Sequence, residues 1–489
     1  MAYLSALDAS FLHMESNRTP MHVGGLLVFK LPEDAAPDYL SKLFDKLLKS
    51  PVTNEPFNWK LKTGPLSGLA PAWIKAKKID IDYHVRHSAL PFPGGEKELG
   101  VLVSRLHSNH MDLERPLWEF HVIEGLENRR FAVYMKTHHA MIDGLGAMKM
   151  IKKWLTSEPD LNAEVAPWSA SFGIKRKRRS TARHSEKAGL WQGVKSQLAA
   201  GRELAGKLME MNDHEKNPEG GIYSAMHTPK TLFNQHISPQ RRLATQLYKV
   251  ERFKRIQDAT GATVNDICLA VIGAAARRYL DELERLPEDS LIVSVPVGLP
   301  RPDGNAGNAA IGFACPLGTD IRDPVDRLKN IKAITHRTKQ QLKTLSPQAL
   351  KQFSVLGITP LMVGQLTGLG MKIPALFNLV VSNVVATRHK LYWNGAELEA
   401  MYPISILFDG YALNITVVGY DDSVALGFTG CRNALPSLQR LAVYTGDALV
   451  ELEQALKLAQ TDADGVPLLT EELTEIDGKT VAKSRVVLS

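Results

Sequence analysis

The strand and helix patterns of this 489-residue chain form two stretches, separated by a stretch with few strand signals. Residues 1–155 mix short alternating apolar runs with helical spacings, and the same mixture returns over residues 229–460. A chain of this length is too long for one ordinary hydrophobic core. The pattern therefore predicts two α/β domains, an inter-domain linker over residues 156–228, and a polar tail over residues 461–489.

Local spacing predicts the main elements of both domains. Alternating or continuous apolar runs predict strands, and apolar residues three and four positions apart predict helices. Asp143 is a predicted N-cap for the helix that follows it. The predicted strands cover residues 23–31, 131–136, 291–297, 377–385, 413–420 and 423–428. The predicted helices cover residues 39–48, 100–110, 144–155, 263–280 and 436–457.

Composition excludes two classes of protein. Hydrophobic residues make up 44% of the chain and charged residues 23%, which fits neither a mostly disordered chain nor a multi-span membrane protein. The uncharged stretch 352–371 contains Pro360 and four glycines, so we expect a buried helix and a glycine-rich loop there, not a membrane span. Three scattered cysteines form no disulfide framework and favour a reducing compartment.

One segment of the sequence carries recognisable chemistry. It runs from Lys136 to Gly144, where a predicted strand ends in His138 and His139 and an Asp-Gly turn follows. Histidine accepts and returns a proton near neutral pH. Because neighbouring strand residues point in opposite directions, only one of the two histidines is expected to be a base. Two structural histidines, or a zinc site completed by Asp143, are the alternatives.

Several other mechanisms lack the residues that they need. The sequence contains no GxSxG elbow of a serine hydrolase, no HExxH zinc motif and no cysteine beside the histidines. Neither a GxGxxG after a strand nor a GxxxxGK phosphate loop is present. These features disfavour a covalent thiol route, zinc, nucleotide redox chemistry and phosphoryl transfer.

The segment His138–Gly144 matches the HHxxxDG signature, and the chain resembles the bacterial wax ester synthase/diacylglycerol acyltransferase family of CoA-dependent acyltransferases. The resemblance covers residues 4–455. It implies two chloramphenicol-acetyltransferase-like α/β domains with mixed sheets and an active-site tunnel at their interface. The supporting matches are Leu7–Phe11, Pro20–His22, Asp82–His84, Pro116–Trp118, Asn265–Asp266, Val295–Val297, Gly307–Asn308, Val381–Asn383 and Leu413–Asn414.

The resemblance implies an O-acyltransferase that moves a long acyl chain from acyl-CoA to a fatty alcohol, giving a wax ester, and to diacylglycerol, giving triacylglycerol. His139 corresponds to the general base for direct attack of the alcohol on the thioester, and His138 is expected to support it. Asp143 is expected to cap the next helix and to pair with an arginine, for which Arg301 is the candidate. Gly144 would let the backbone pass closely under the substrate. No cofactor is implied, because the CoA thioester is a substrate.

Two further segments are expected to contribute to the substrate site. Asn265 and Asp266 lie at the start of a predicted helix, where they either form an N-cap or, for Asn265, polarise the substrate carbonyl. Asn308 belongs to a glycine-containing loop that is either a turn or a CoA-facing loop.

The second domain supplies two more candidates. Ser382 and Asn383 are expected near the cleft, at the end of a strand. Gly357 and Gly364 belong to the uncharged stretch 352–371, which we expect to form a wall of the acyl or alcohol pocket because it combines apolar residues with the absence of charge.

The linker is a candidate for contact with lipid. Its five basic residues at 175–179 precede an amphipathic helical pattern over 190–211, and the net charge of the chain is +7. A solvated loop and a nucleic-acid site are alternatives, although interleaved aromatic residues are missing for the latter. Because anionic lipid attracts such basic clusters, we expect a cytoplasmic protein that associates peripherally with a membrane or with lipid inclusions.

Two other functions remain open at this point. The first is acyl transfer to another hydroxyl or to an amine, as in condensation domains. The second is a non-catalytic lipid-surface protein that has kept the fold. Release of free thiol from an acyl-CoA separates catalysis from its absence, and the acceptor that is used separates the two kinds of acyl transfer.

Overall fold

The computed structural model describes residues 2–62, 71–163, 165–169, 228–298, 310–368, 370–372, 374–458, 473–476 and 479–482. Within these residues, two six-stranded sheets with helices packed against them form the frame of the molecule. Both sheets combine parallel with antiparallel strand pairs, which confirms the predicted α/β class with mixed sheets.

Short helices and strands alternate in the first part of the chain. The helices are α1 (Ala6–Met14), α2 (Tyr39–Lys49), α3 (Ile81–His84), α4 (Glu96–Ser108) and α5 (Gly144–Trp154). The strands are β1 (Ala2–Tyr3), β2 (His22–Lys30), β3 (Trp59–Leu61), β4 (Ala72–Lys75), β5 (Val85–Ala89), β6 (Trp118–Leu126) and β7 (Arg130–His138).

The second part of the chain also combines helices with strands, and most of its helices are longer than those of the first part. The helices are α6 (Val250–Thr260), α7 (Val264–Glu282), α8 (Pro324–Lys343), α9 (Pro347–Thr367) and α10 (Leu438–Ala455). The strands are β8 (Arg241–Lys249), β9 (Ile292–Gly298), β10 (Ala310–Pro316), β11 (Leu379–Thr387), β12 (Tyr392–Trp393), β13 (Ala396–Ile404), β14 (Leu413–Tyr420) and β15 (Ser423–Cys431). In the predicted tail, β16 (Leu473–Ile476) and β17 (Lys479–Ala482) form an antiparallel hairpin.

Strands β12 and β13 come from the second part of the chain but lie in the first sheet. That sheet has the strand order β12-β13-β2-β7-β6-β5, and the second has the order β10-β9-β11-β14-β15-β8. β13 pairs with β2 in antiparallel register, with Ile404 opposite Gly24. The predicted division into residues 1–155 and 229–460 is therefore corrected, because residues 392–404 complete the sheet of the first domain.

Residues 165–169 also belong to the first domain, although they lie inside the predicted linker, 156–228. Trp168 is fully buried, and its Nε1 donates to the backbone carbonyl of Ser50 at 3.1 Å. Its ring stacks on that of Trp118, with 5.1 Å between the centroids. A buried aromatic of this size contributes strongly to a core, so the predicted start of the linker is too early.

The uncharged stretch 352–371 falls in α9 and in the turn that follows, which confirms the predicted helix, but Val363 and Leu366 are exposed, so the expectation that this helix is buried is corrected. Among the described helices, none is long and apolar enough to cross a membrane alone. The neighbouring helices α6 and α7 reach that length and composition only as a pair, and they are bent by 102° with respect to each other.

Besides the pairing of β13 with β2, several other elements join the two parts of the chain. α1 contacts α9, α5 contacts β11, and α4 contacts β8. Because α5 follows directly on the two histidines, this junction includes the segment that carries the predicted chemistry.

Candidate active site

Strand β7 ends at the two histidines, beside the junction of the two parts of the chain. It lies between β2 and β6, and His138 pairs with His22 in register. Side chains along β7 alternate between two buried layers: Met135 packs in the layer that contains Phe11, and Tyr134 packs in the opposite one. The chain therefore enters the turn with its two imidazoles in different surroundings.

His138 is fully buried, and both of its ring nitrogens are held by the protein. Nδ1 accepts the backbone N–H of Ala140 at 3.0 Å, and Nε2 lies 2.5 Å from Oε2 of Glu15. Since Nδ1 accepts, Nε2 carries the proton that faces the carboxylate. Burial favours a higher pKa for Glu15, but the hydrogen bond and charge of His138 hold that pKa below its usual value. These contacts fit the supporting role predicted for His138.

His139 lies at the start of the turn, half-buried against α1. Its backbone N–H donates to the carbonyl of Met21 at 2.8 Å. Its ring stacks on Phe11, with centroids 4.2 Å apart and planes inclined by 24°. Burial, and then the charge of His138, lower the pKa of His139 from 6.5 to about 4. The imidazole is therefore neutral near pH 7, which is the state that can accept a proton.

Asp143 ends the turn and begins α5. Its Oδ1 accepts the backbone N–H of Gly146 at 2.6 Å, so the predicted N-cap is confirmed. The carboxylate also lies at the positive end of the α5 dipole, which stabilises it. Arg301, the predicted partner of Asp143, lies outside the described residues, as does Asn308. The roles of these two residues stay predictions.

The glycine that this turn requires is Gly146 rather than Gly144. A Cβ on Gly146 would lie 2.9 Å from Oδ1 of Asp143 and 3.0 Å from Cγ1 of Ile142. A Cβ on Gly144 would meet no atom within 4 Å, and Gly144 has no positive φ. The open space at Gly144 is compatible with a substrate that passes close to the backbone, as predicted.

Asp266 stabilises the start of α7 and joins it to α8. Its Oδ2 accepts the backbone N–H of Thr263 at 2.9 Å, and the Thr263 hydroxyl accepts the N–H of Asp266 at 3.3 Å. Its Oδ1 accepts the hydroxyl of Thr335 on α8 at 2.7 Å. Thr263 is therefore the N-cap of α7 and Asp266 completes a capping box with it, so the expectation that Asn265–Asp266 forms the cap is corrected, while a substrate contact of Asp266 stays a prediction.

Asn265 and Asn383 come together in the second domain. Nδ2 of Asn383 lies 3.5 Å from Oδ1 of Asn265, and both side chains are half-buried. Ser382 and Asn383 lie in the middle of β11, where Ser382 pairs with Thr416 of β14. The expectation that they lie at the end of a strand is therefore corrected. Neighbouring strand side chains face opposite ways, so only Asn383 faces α7. β11 in turn lies beside α5, the helix that follows the histidine turn.

The two glycines predicted for a pocket wall both lie on α9. Gly357 and Gly364 fall in this helix, which also contains Pro360 and contacts α1. α1 carries Phe11, against which the ring of His139 is stacked. The structure thus connects α9 to the candidate base through a single intervening helix.

A network of buried polar groups supports the end of β7. Nζ of Lys136 lies 3.2 Å from Oε2 of Glu119 and donates to the carbonyl of Asn109 at 2.9 Å. Nε2 of His121 lies 3.1 Å from the same carboxylate oxygen. Burial lowers the pKa of Lys136, although the neighbouring Glu119 opposes that effect. The network joins β6, β7 and α4 and so fixes the strand end that presents the histidines.

Two residues of the site were not predicted from the sequence as functional. Phe11 belongs to a segment that carries the family resemblance, but no local pattern indicated its stacking on His139. Glu15 lies 123 positions before His138, and no spacing rule connects residues so far apart. Within the described residues, no group of three or more histidine, cysteine, aspartate or glutamate side chains is placed to hold a metal ion.

Comparison with known proteins agrees with the family resemblance of the sequence motifs, and it does so over nearly the whole chain. Residues 4–268 match the family described as the wax ester synthase/diacylglycerol acyltransferase catalytic domain, and residues 306–453 match the C-terminal domain of that family. A putative diacylglycerol O-acyltransferase of Mycobacterium tuberculosis is 46% identical over 458 residues, covering 93% of this chain and 99% of the relative. The O-acyltransferase WSD of Acinetobacter baylyi is 36% identical over 461 residues, covering 94% and 97%.

Solved structures agree with the sequence comparison. The wax ester synthase/diacylglycerol acyltransferase from Marinobacter aquaeolei VT8 matches with a TM-score of 0.75 and 36% identity, covering 94% of this chain and 100% of that one. The first condensation domain of the CDA synthetase matches with a TM-score of 0.57, covering 96% and 99%. Its identity is only 16%, so this second match shows a shared fold alone.

Proposed function

The chain belongs to the wax ester synthase/diacylglycerol acyltransferase family and is an acyl-CoA-dependent O-acyltransferase, and on that premise we propose that His139 is its general base. The acyl donor is a long-chain acyl-CoA. The proposed acceptors are a fatty alcohol, which gives a wax ester, and diacylglycerol, which gives triacylglycerol. The predicted family, fold class and enzyme class are thus confirmed, and the roles of individual residues are the subject of the proposal.

The reaction requires one base and no covalent intermediate. The neutral imidazole of His139 takes the proton of the alcohol hydroxyl while the alcohol oxygen attacks the thioester carbonyl. A carbon–oxygen bond forms, the carbon–sulfur bond breaks, and the proton passes from the imidazolium to the leaving thiolate, which departs as free CoA thiol. A positioned base supplies about 10² to 10⁴-fold of rate, and holding both substrates together supplies more.

The observation that carries this assignment is the difference between the two adjacent histidines. Both nitrogens of His138 are occupied, by Glu15 and by the N–H of Ala140. His139 stacks on Phe11 at the junction of the two domains and is held neutral by a pKa of about 4. A base must be unprotonated before it acts, and the surroundings of His139 keep it so.

Asn265 is the proposed group for the substrate carbonyl. Its contact with Asn383 at 3.5 Å orients the amide of Asn265 at the start of α7. An amide N–H aimed at a developing oxyanion stabilises the transition state, and removal of one such donor typically costs about 10² to 10³-fold in kcat. Replacement by alanine, Asn265→Ala, is therefore expected to lower kcat with little change in KM, and an unchanged kcat would overturn the assignment.

The test of the proposed function is thiol release by the purified full-length protein. Palmitoyl-CoA is supplied with hexadecanol, with a diacylglycerol, or with a fatty amine, and the acylated products are separated. We expect thiol and oxygen esters in equal amounts from the wild type, and a rate about 10² to 10⁴-fold lower from His139→Ala. His336→Gln, which changes an exposed histidine on α8, serves as the matched control.

Three outcomes would contradict parts of this proposal. Absence of thiol with every acceptor would favour the non-catalytic lipid-surface protein. An amide as the main product would favour a condensation-type enzyme. Undiminished thiol release from His139→Ala would reject the assigned base while leaving the enzyme class intact.

We also propose that α9 forms part of the wall of the acyl or alcohol pocket. The support is its uncharged sequence over 352–367 and its contact with α1, the helix that bears Phe11. Gly357 and Gly364 are the positions on α9 where a larger side chain would test this role. Gly357→Leu and Gly364→Leu should each shift the preferred chain length toward shorter substrates, and an unchanged preference would reject this role.

Contact with a lipid surface is a further part of the proposal. The predicted basic run 175–179 and helical pattern 190–211 lie outside the described residues, so the support is their sequence and the apolar nature of the proposed products. We propose a cytoplasmic enzyme that binds peripherally to anionic membrane or lipid inclusions. Co-sedimentation with anionic but not neutral vesicles, lost when residues 175–179 are changed to glutamine, is the expected result.

We propose, finally, that the reaction uses no cofactor, with coenzyme A present only as part of the substrate. A base, an oriented alcohol and a thioester account for every bond that changes. Dialysis against EDTA should leave the rate of thiol release unchanged, and a loss that added metal restores would reject this proposal.

A further inference from the structure

A basic cleft of about 1040 Å³ opens between the two domains, and its lining contains none of the residues assigned above. One wall is α4 of the first domain, and the other is formed by the first residues of β8 together with Arg432 and Gln439. Its volume is similar to that of pockets that hold nucleotide-sized ligands.

The cleft exists because α4 carries small residues where it meets the edge of the second sheet. The hydroxyl of Ser108 accepts the backbone N–H of Arg241 at 2.8 Å, and that of Ser104 accepts the N–H of Leu243 at 3.1 Å. One helical turn earlier the same row continues with Gly100, where a Cβ would meet no atom within 4 Å. The cleft runs along this row, since Gly100, Ser104 and Ser108 all line it, and Gly100 leaves open space on the α4 side.

The lining of the cleft is strongly one-sided in charge. Five of its residues are lysine or arginine, and none is aspartate or glutamate. The guanidinium of Arg241 is bound to the backbone, since it donates to the carbonyl of Arg18 at 3.0 Å. The other four form no salt bridge within the described part of the chain and are Lys97, Arg105, Arg242 and Arg432.

The inner end of the cleft lies close to the catalytic turn. His110 lines the cleft, and its Nδ1 lies 3.5 Å from Oε1 of Glu15. The other oxygen of that carboxylate contacts His138, the neighbour of the proposed base. One side chain thus separates the wall of the cleft from the histidine pair.

A second basic depression of the surface differs in ways that favour the first. It measures about 740 Å³ and lies within the first domain alone. Its lining includes Asp80 and Glu114, and its Arg115 is paired with Asp80 at 3.0 Å. Its positive charge is therefore partly neutralised, and it does not adjoin the histidine turn.

We propose that the basic cleft binds the phosphates of coenzyme A, that is, the 3′-phosphate and the diphosphate of the nucleotide half of acyl-CoA. The inference rests on the proposed function, which makes acyl-CoA the donor. Arginine guanidinium groups bind phosphate in a bidentate manner, and four unpaired cations match the several negative charges of this group. The pantetheine arm then runs inward past His110 and places the thioester at His139.

Gly100 offers a sharp test because a side chain there enters the cleft without displacing the protein. Gly100→Glu adds a negative charge, and Gly100→Gln adds the same bulk without charge. Neither is expected to weaken folding, since glycine inside a helix costs stability. The double variant Arg105→Gln/Arg242→Gln removes two cations, and Lys343→Gln, at the exposed end of α8, is the control outside the cleft.

Each variant is assayed with palmitoyl-CoA and with palmitoyl-pantetheine, which carries the same thioester and arm but no phosphate. For the wild type we expect a much higher kcat/KM with palmitoyl-CoA and a KM that rises with salt. Gly100→Glu and the double variant should raise the KM for palmitoyl-CoA about tenfold, as expected for lost charged contacts. With palmitoyl-pantetheine the change should be small, so that the preference for CoA decreases.

The outcomes separate this inference from the proposed function. If the wild type releases thiol but Gly100→Glu keeps the wild-type KM for palmitoyl-CoA, the cleft assignment is wrong and the enzyme class stands. If Gly100→Glu loses binding to anionic vesicles while its KM for palmitoyl-CoA is unchanged, the cleft binds lipid head groups instead. If the wild type releases no thiol, the proposed function fails, and calorimetric binding of free CoA to wild type and Gly100→Glu still decides the role of the cleft.

Discussion

Nε2 of His138 lies 2.5 Å from Oε2 of Glu15, so a residue at the end of α1 fixes the ring of a residue at the end of β7. The second nitrogen of the same ring accepts the N–H of Ala140 at 3.0 Å and thereby shapes the turn from the inside. His139 lies between His138 and Ala140, and these two contacts fix the positions of both neighbours. The contact between Glu15 and His138 therefore sets the direction in which the proposed base points.

Loss of the Glu15 charge should reduce activity through position rather than through binding. In Glu15→Gln the charged hydrogen bond becomes a neutral one, which is expected to lower the free energy of unfolding by about 1–2 kcal/mol. A displaced base lowers kcat by about tenfold to a hundredfold, with the KM for acyl-CoA unchanged. Thiol-release kinetics and urea unfolding measure both quantities.

The control for Glu15→Gln is Glu251→Gln, which alters an exposed carboxylate paired with Lys254 at 3.4 Å. Exposed pairs contribute little, so this variant should keep both the wild-type rate and the wild-type stability. If Glu15→Gln behaved like the control, Glu15 would have no positioning role.

Replacing each of the two adjacent histidines by glutamine should have different effects on kcat and on the free energy of unfolding. His139→Gln is expected to lower kcat by about 10² to 10⁴-fold, because glutamine cannot accept the proton, and to affect folding less than His138→Gln, because its ring packs by stacking on Phe11. His138→Gln loses the acceptor for the Ala140 N–H inside the core and should lower the free energy of unfolding by about 1–3 kcal/mol. Equal losses of activity and stability in both variants would contradict this division of roles.

The histidine turn could be predicted from the sequence because its determinants are local. A continuous apolar run, two histidines, and an Asp-Gly pair before an amphipathic run specify a strand, a turn and a capped helix between Arg130 and Trp154. The N-cap at Asp143 and the strand over 413–420 could be predicted for the same reason, because neighbouring residues determine them.

The remainder depends on pairings between distant residues, which no local pattern encodes. The exchange of β13 into the first sheet joins Ile404 to Gly24, and its sequence would fit the interior of either sheet. Asp266 illustrates a second case, because a polar residue at the start of a predicted helix suits a cap and, less strongly, a substrate contact. Only the hydroxyl of Thr335, brought in by α8, shows that both of its oxygens are used by the fold.

Asp143 allows a capping role to be separated from a role in the charge relay of a triad. Asparagine caps a helix about as well as aspartate, whereas alanine costs about 1 kcal/mol of stability. We therefore expect Asp143→Asn to keep most of the wild-type rate and stability, and Asp143→Ala to lose both in part. Thermal unfolding and thiol release are the measurements, and an Asp143→Asn variant as inactive as His139→Gln would show that the carboxylate charge takes part in catalysis.

The activity should persist to unusually low pH for an enzyme with a histidine base. Burial and the charge of His138 lower the pKa of His139 to about 4, so the imidazole stays unprotonated well below its usual 6.5. The value of kcat/KM should therefore be level from about pH 8 to about pH 5 and fall as the pH approaches 4. An acid limb with its midpoint near 6.5, measured by product chromatography, would show that His139 titrates as an ordinary exposed histidine.

The stability of the protein should decrease below pH 6.5 for a related reason. His22 and His107 are fully buried, and burial, followed by the charges of neighbouring groups, places both pKa values well below the usual 6.5. Between the folded and unfolded pKa values the unfolded chain binds protons that the folded chain does not, so stability is complete above 6.5 and is lost as the pH falls. Each such histidine removes about 1.4 kcal/mol per pH unit in that interval.

Urea unfolding at pH 7, 6 and 5 measures this loss of stability. Carboxylates with ordinary or lowered pKa values, such as Glu119, stay ionised between these pH values and do not contribute to the loss. His22→Gln keeps a donor for the carbonyl of His107, which Nε2 of His22 approaches to 2.7 Å, but cannot take up a proton. Its free energy of unfolding should therefore depend less steeply on pH than that of the wild type, by about the contribution of one histidine. If the two slopes were the same between pH 6.5 and 5, His22 would not be the buried neutral group that its surroundings dictate.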